Sequence, residues 1–212
     1  MLSHLRPVIR DFAAVAFWAT GITQPARVAK ELLTVVTFHR VLPAAERRQY
    51  PLADIAVTPE EFAWFLDFFA AHYTPGDLAT LHQRWLAGER PAKPFLAITF
   101  DDGQLDNYLH AAPLLQARGL TASFYVPIAA LEANGSLWHD RVSYALQQAM
   151  QHDAANTRRL LAELDLQGPD VAALLPQAVE RLKPLPPEQR LAWVQRAEDS
   201  AGGPQRPPWD GM

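Results

Sequence analysis

The chain has 212 residues, 49% of them hydrophobic and 20% charged, which is enough apolar material for one sizeable folded core. Its net charge is −4 and its basic residues occur as scattered pairs rather than as a stripe, so the composition argues against a nucleic-acid partner. No cysteine is present, which excludes a disulfide framework and any zinc site with cysteine ligands.

Residues 1–30 are predicted to form an N-terminal helical segment. Its apolar run, Phe12 to Ile22, follows two arginines like the core of a signal peptide, but Asp11 abuts the run and no Ala-x-Ala cleavage pattern follows. About 11 apolar residues are too few for a bilayer, which needs about 20. We therefore expect a helix that packs on the domain or lies on a membrane surface, with no transmembrane segment. Export is unsupported, which leaves a cytoplasmic location or a peripheral one at the cell envelope.

Strands and helices alternate in the next part of the chain. The stretch 58–61, Thr-Pro-Glu-Glu, is a capping box with proline at the first helical position, and Asp77 and Gly88 are suited to begin and end a second helix. Such alternation indicates parallel strands joined by right-handed crossovers. The predicted order is strand 33–38, helix 59–71, helix 77–88, strand 95–100, helix 105–118 and strand 121–126.

Two adjacent carboxylates, Asp101 and Asp102, directly follow the apolar strand 95–100 and precede Gly103. Binding sites of α/β folds open at the carboxyl ends of strands. Neighbouring side chains at such an end point in different directions, so one carboxylate can ligate a metal while the other accepts a proton. The same three residues can also simply turn the chain and cap the next helix.

The stretch 99–103, Thr-Phe-Asp-Asp-Gly, resembles the first motif of the polysaccharide deacetylases and matches it at every position. A chance match in a chain of this length has odds on the order of one in ten thousand, so we favour chemistry over capping for the two aspartates. This family of carbohydrate esterases includes chitin, peptidoglycan and nodulation-factor deacetylases. The stretches 37–41, 106–108, 112–115 and 121–126 resemble the family as well. The resemblance implies an α/β fold, an incomplete and distorted (β/α) barrel with an added helical segment.

The resemblance also suggests a division of the chain into segments. We place the N-terminal part of the deacetylase barrel at 31–138. From His139 onward the pattern predicts helices without strands, and we interpret 139–201 as a helical insertion, a plain cap in preference to a substrate-binding lid. The tail 202–212 is loop-like, and we expect it to mark the point at which a longer protein is cut. The predicted helices of the insertion are 142–150, 154–164, 171–182 and 188–200.

The activity implied by the resemblance is metal-assisted removal of acetyl groups from an N-acetylated amino-sugar polysaccharide. Asp102 would be the carboxylate ligand of the metal, and Asp101 would accept the proton of the attacking water. His39 is either a buried histidine at a strand end or a catalytic group facing the pocket, and both readings stay open. The stretch 138–140, Trp-His-Asp, resembles a family position, but we interpret it as an aromatic anchor followed by an aspartate that caps a helix.

The chain departs from the family in its histidines. Polysaccharide deacetylases take two metal ligands from a later His-x-x-x-His segment, whereas no histidine follows His152 here and no pair has the spacing of three to five residues typical of such a site. We therefore expect this chain to be an inactive N-terminal fragment that binds metal poorly. Zn²⁺ is the ion favoured for the complete set of one carboxylate and two imidazoles, and Co²⁺, Ni²⁺ or Fe²⁺ would also be accepted.

Two other functions remain compatible with the sequence. One is a non-catalytic carbohydrate-binding relative, which would bind the glycan without turnover. The other is a different metal-dependent hydrolase, such as a phosphoesterase built on acidic residues at strand ends. The sequence offers no glycine-rich phosphate loop for the second, so an N-acetylated glycan is the partner we predict.

Overall fold

The computed structural model describes residues 14–128, 136–207 and 209. They form a mixed α/β structure with two compact units, one from Met1–Thr37, Glu60–Phe100 and Leu114–Phe124 and the other from Phe38–Pro59, Asp101–Pro113 and Tyr125–Met212. The strands, in chain order, are β1 Leu33–Phe38, β2 Arg40–Val41, β3 Ala56–Val57, β4 Thr74–Gly76, β5 Phe95–Phe100 and β6 Ser123–Phe124. The α-helices are α1 Pro25–Val28, α2 Ala44–Arg47, α3 Pro59–His72, α4 Leu78–Leu86, α5 Ala112–Ala117, α6 Trp138–His152, α7 Ala154–Ala162, α8 Leu175–Leu182 and α9 Pro187–Ser200.

The first unit is built on a four-stranded sheet with β5 at its centre. The path through the sheet is β1, β5, β4, and β6 pairs with β5 as well. Both β4 and β6 run parallel to β5, in registers that place Thr74 opposite Phe95 and Thr99 opposite Ser123. All six residues of β5 are buried, which explains why this strand is a continuous apolar run rather than an alternating pattern. The predicted strands 33–38 and 95–100 are confirmed at both ends.

Two helices of this unit follow their sequence signals closely. Helix α3 begins at Pro59 and buries Phe62, Leu66 and Phe69, which share one helical face. Helix α4 is capped by the Asp77 carboxylate, which accepts a hydrogen bond from the Thr80 backbone N–H at 2.9 Å, satisfying one of the free donors of the first turn. The Phe62 ring of α3 packs against the Phe100 ring of β5, and Leu81 of α4 shares a buried cluster with Phe95 and Ala97 of the same strand.

The N-terminal part of the first unit is helical over residues 14–19, whereas residues 1–13, where the predicted segment begins, lie outside the described residues. The Trp18 ring packs on α3, 5.6 Å from the Phe68 ring and 5.0 Å from the His72 ring between centroids. This part of the predicted segment therefore packs on its own unit. Of the helices that the structure describes, none is long and apolar enough to cross a membrane.

The second unit has a helical core that also covers a small sheet. Strands β2 and β3 pair in parallel, with Arg40 opposite Ala56. Helix α6 is central and packs against α7, α8 and α9. The apolar residues Leu42 and Leu52, next to the small sheet, belong to the same buried cluster as Leu146 of α6 and Val194 of α9. One continuous core therefore joins the β2–β3 pair to the helices of the predicted insertion.

Two helices of the second unit have boundaries that differ from the prediction. The helix predicted from Val142 begins one turn earlier, at Trp138, which brings His139 and Asp140 into its first turn. The helix predicted over 171–182 is split into a 3₁₀ turn, Ala172–Leu174, and α8, because Pro176 cannot donate a backbone hydrogen bond and sits at the start of a helix.

Candidate active site

The Asp-Asp-Gly turn after β5 has an unusual backbone. The Asp101 backbone N–H donates to the Phe38 carbonyl oxygen at 3.0 Å. Asp102 has a φ of +73°, a left-handed conformation that is uncommon for residues other than glycine. Gly103 follows with a φ of +59°, and a Cβ atom added there would lie only 2.8 Å from Cγ2 of Val126. The chain therefore needs glycine at 103 and bends sharply at Asp102.

Asp102 lines a cavity of about 620 Å³ that lies entirely within the second unit. Two imidazoles, from His39 and His139, line the same cavity. Asp101 is not among the lining residues, although it is adjacent in the chain and only half-buried. The structure thus brings His39 and Asp102 into one cavity, and the catalytic role predicted for His39 stays a prediction. The remaining lining residues are Leu52, Asp54, Ile55, Pro176, Gln177, Val179, Glu180, Arg181 and Lys183.

His139 lies beside Asp102. Its Nε2 atom is 3.9 Å from Oδ2 of Asp102 and 3.9 Å from Oδ1 of Asp140. These distances are too long for hydrogen bonds, although they place the three side chains next to one another. Sequence reasoning took Trp138 as an aromatic anchor, and Trp138 does pack against the buried cluster, although it lies at the start of α6 and not in a loop. The interpretation of Asp140 as a helix cap is wrong. Leu137 occupies the cap position and Asp140 lies inside the first turn, so His139 projects from a helix into the site.

The buried guanidinium of Arg40 helps to hold the first turn of α6, which carries His139, in place. Arg40 is 1% exposed and donates from Nε to Oδ2 of Asp106 at 2.8 Å, and from Nη1 to Oδ2 of Asp140 at 3.1 Å. Its third contact is from Nη2 to the Trp209 carbonyl oxygen at 2.6 Å. Burial lowers the pKa of Arg40, but the two carboxylates more than offset this and the pKa is raised above its ordinary value. The guanidinium therefore stays charged and ties the start of α6 to β2.

Tyr50 and Asp106 complete this network. The Tyr50 hydroxyl donates to Oδ1 of Asp140 at 2.8 Å, and burial, followed by the charge of Asp140, raises the pKa of Tyr50 well above its ordinary value. Asp106 accepts the Val41 backbone N–H at 2.8 Å. Burial raises the pKa of Asp106, although Arg40 opposes the shift. Asn107 donates from Nδ2 to the His39 carbonyl oxygen at 3.0 Å, which fixes the backbone at His39.

The burial of Arg40 was not predicted from the sequence, because an arginine after a strand is most often solvated. The paired acids lie far from it along the chain, at positions 106 and 140. Their pattern has no periodicity that joins them to Arg40. The only sequence signal was the resemblance of the stretches 37–41 and 138–140 to the deacetylase family. The structure places these two stretches on the two sides of one ion-pair network.

The candidate metal ligands among the described residues do not make a complete site. Among residues 14–128, 136–207 and 209, no group of three or more His, Asp and Glu side chains is arranged to hold an ion. Asp102 and His139 offer one oxygen and one nitrogen, whereas a catalytic zinc site takes three protein ligands. The described residues alone therefore do not fit the zinc that the motif implies.

Comparisons with known proteins give several similar solved structures, including those of IcaB and PplD. No known family profile and no curated protein sequence matches the chain. The structure of IcaB from Ammonifex degensii is 26% identical over 52% of this chain and 46% of its own chain, with a TM-score of 0.35. The Streptococcus pyogenes deacetylase PplD in complex with acetate is 16% identical over 82% of this chain and 70% of its own, with a TM-score of 0.43. The chain spans less than half the length of the IcaB chain.

Proposed function

We propose that the protein formed by this chain is a polysaccharide deacetylase, which removes acetyl groups from an N-acetylated amino-sugar polysaccharide. The observation that carries the proposal is the Thr-Phe-Asp-Asp-Gly stretch ending β5, whose second aspartate lines a cavity together with two imidazoles. We also propose that the four-stranded sheet belongs to an incomplete (β/α) barrel. The left-handed backbone at Asp102 supports a functional reading, since strained conformations of this kind cluster at active sites.

The chemistry assigned to these residues is hydrolysis of an amide. A water oxygen attacks the acetyl carbonyl carbon while Asp101 accepts the water proton, and the C–N bond then breaks as a proton reaches the leaving nitrogen. The products are acetate and a free amine on the sugar. Either imidazole of the cavity, from His39 or His139, is suited to deliver the second proton. Asp101 must come within hydrogen-bond reach of the water for this role.

We propose Asp102 as the carboxylate ligand of a divalent ion, with Zn²⁺ favoured and Co²⁺, Ni²⁺ or Fe²⁺ accepted by the same kinds of donor. Such an ion would polarise the acetyl carbonyl and acidify the attacking water. Asp102 and His139 do not complete its coordination, so in this proposal the remaining ligands come from residues other than those described. The chain without them would be inactive.

Acetate release tests the proposal. The longest natural gene product containing this sequence should release acetate from an N-acetylglucosamine oligomer, and a chelator should abolish the release until Zn²⁺ is restored. Binding of the oligomer without acetate release would favour the carbohydrate-binding alternative. Hydrolysis of p-nitrophenyl phosphate in place of the oligomer would favour the phosphoesterase alternative.

A further inference from the structure

One wall of the Asp102 cavity is formed by helix α8, which belongs to the segment that the sequence suggested was a plain cap. Three of its lining residues, Pro176, Val179 and Glu180, recur at the three- and four-residue spacing of one helical face, and Lys183 directly after the helix continues that face. The stretch from Pro176 to Lys183 is about 10 Å long at the rise of an α-helix, longer than one sugar ring. A wall of this length can contact sugar units on either side of the reacting one.

We infer that α8 is the glycan-binding wall of this cavity, and that Glu180 binds hydroxyl groups of the sugars next to the acetylated unit. The inference rests on the proposed function, since it assigns the substrate-binding residues of the same site. An ionised carboxylate accepts two or more hydrogen bonds, so it is suited to the neighbouring hydroxyls of a sugar. Among the apolar lining residues, Ile55 is 36% exposed and offers a surface against which the C–H face of a sugar ring can pack, whereas Val179 and Leu52 belong to the buried core.

The charge of the lining favours a neutral glycan over an anionic one. Three carboxylates, from Asp54, Asp102 and Glu180, accompany two cations, from Arg181 and Lys183. A cavity with this balance does not concentrate a polyanion, which would require an excess of positive charge. Hydroxyl and acetamido groups, in contrast, can form hydrogen bonds with both the acceptors and the donors of this lining. The preferred ligand is therefore a neutral chain of N-acetylated amino sugars.

Glu180 is also available to a ligand. Its carboxylate pairs with the Lys183 ammonium in an exposed ion pair, with 66% of the Glu180 side chain and 56% of the Lys183 side chain accessible to solvent. Exposed pairs contribute little to folding stability. Substitution of Glu180 should therefore change ligand binding without unfolding the chain.

The test is titration of the full chain with N-acetylglucosamine tetramer and monomer, followed by NMR chemical shifts. We expect the tetramer to bind more tightly than the monomer, and Glu180→Gln to weaken tetramer binding by about 5-fold, since an exposed charged hydrogen bond is lost. Glu163→Gln is the matched control, because Glu163 also forms an exposed ion pair, with Arg196, but does not line the cavity. Its affinity should equal that of the unmodified chain.

Two results would overturn the inference. One is equal tetramer affinity for Glu180→Gln, Glu163→Gln and the unmodified chain, which would leave α8 with no part in binding. The other is no binding of the tetramer to the unmodified chain. Neither result decides the proposed function, which depends on acetate release by the longest gene product.

Discussion

At the scale of single residues, the two aspartates of the turn differ in backbone conformation. Asp102 has a positive φ, and Asp101 does not. A side chain in the left-handed region costs folding free energy that glycine avoids, whereas in ordinary conformations glycine costs more than alanine. The Asp102 side chain therefore carries a conformational cost in folding free energy, which is common at functional sites.

This difference predicts opposite effects of the same pair of substitutions. Asp102→Gly should be more stable than Asp102→Ala by about 1 kcal/mol in the free energy of unfolding. At position 101 the order should reverse, with Asp101→Ala more stable than Asp101→Gly. Urea unfolding of the four variants measures both differences. The same order at the two positions would show that Asp102 is not held in the left-handed conformation.

Gly103 gives a second prediction, based on close contact rather than on conformation alone. Gly103→Ala should destabilise the chain by about 1–3 kcal/mol more than Gly119→Ala. Both glycines have a φ near +60°, so both alanines carry the same backbone cost, but only the Cβ at 103 would clash with Val126 while the site at 119 is open. Adding Val126→Ala should recover part of the loss at 103. Equal losses at the two glycines would exclude the clash.

At the scale of elements, the sequence predicted the long ones and missed the short ones. Strands β1 and β5 and helix α3 carry strong apolar patterns, and their bounds were predicted to within a residue. Strands β2, β3 and β4 have two or three residues each, too few to show any periodicity. The strand predicted over 121–126 is reduced to Ser123–Phe124, with Tyr125 and Val126 exposed. The early start of α6 was missed because its first turn is mostly polar, and Asp140 and Arg141 in that turn form ion pairs with residues distant along the chain.

The network that ties the start of α6 to β2 predicts an alkaline loss of stability. The pKa of Tyr50 is raised in the folded chain. Tyr50 therefore contributes its full stability below about pH 10, the pKa of tyrosine in the unfolded chain. This contribution is lost as the pH rises through the higher pKa of Tyr50 in the folded chain. Tyr50→Phe should cost about 1–3 kcal/mol at pH 8, through the lost hydrogen bond to Asp140, and should then lose less stability than the unmodified chain between pH 9 and 11.

The matched control for this prediction is Tyr108→Phe, because Tyr108 is 74% exposed. It should leave the stability at pH 8 unchanged and retain the full alkaline loss. Urea unfolding across the pH range provides the measurement. A Tyr50→Phe variant that loses as much stability above pH 10 as the Tyr108→Phe variant would show that the buried phenol does not control the alkaline transition.

At the scale of the whole molecule, the candidate site is contained in one compact unit. Its residues come from three separate parts of the chain, 38–59, 101–113 and 125–212. The motif alone located Asp102, because the residue type and the strand end both point to chemistry. His139 and the α8 wall could not be found in this way, since helix packing and the buried Arg40 network determine where they lie. The proposed segments at 1–30, 31–138, 139–201 and 202–212 stay predictions.

The proposed division of labour between Asp101 and Asp102 is tested most directly by bound zinc and acetate release in the longest natural gene product. Asp101→Asn should keep its metal and lose roughly 10²- to 10⁴-fold in turnover of an N-acetylglucosamine oligomer, because the amide keeps its shape but accepts no proton. Asp102→Asn should lose the metal, since a neutral amide is a poor ligand for a divalent ion. A wild-type rate for Asp101→Asn, or equal metal content in the two variants, would contradict the assignment.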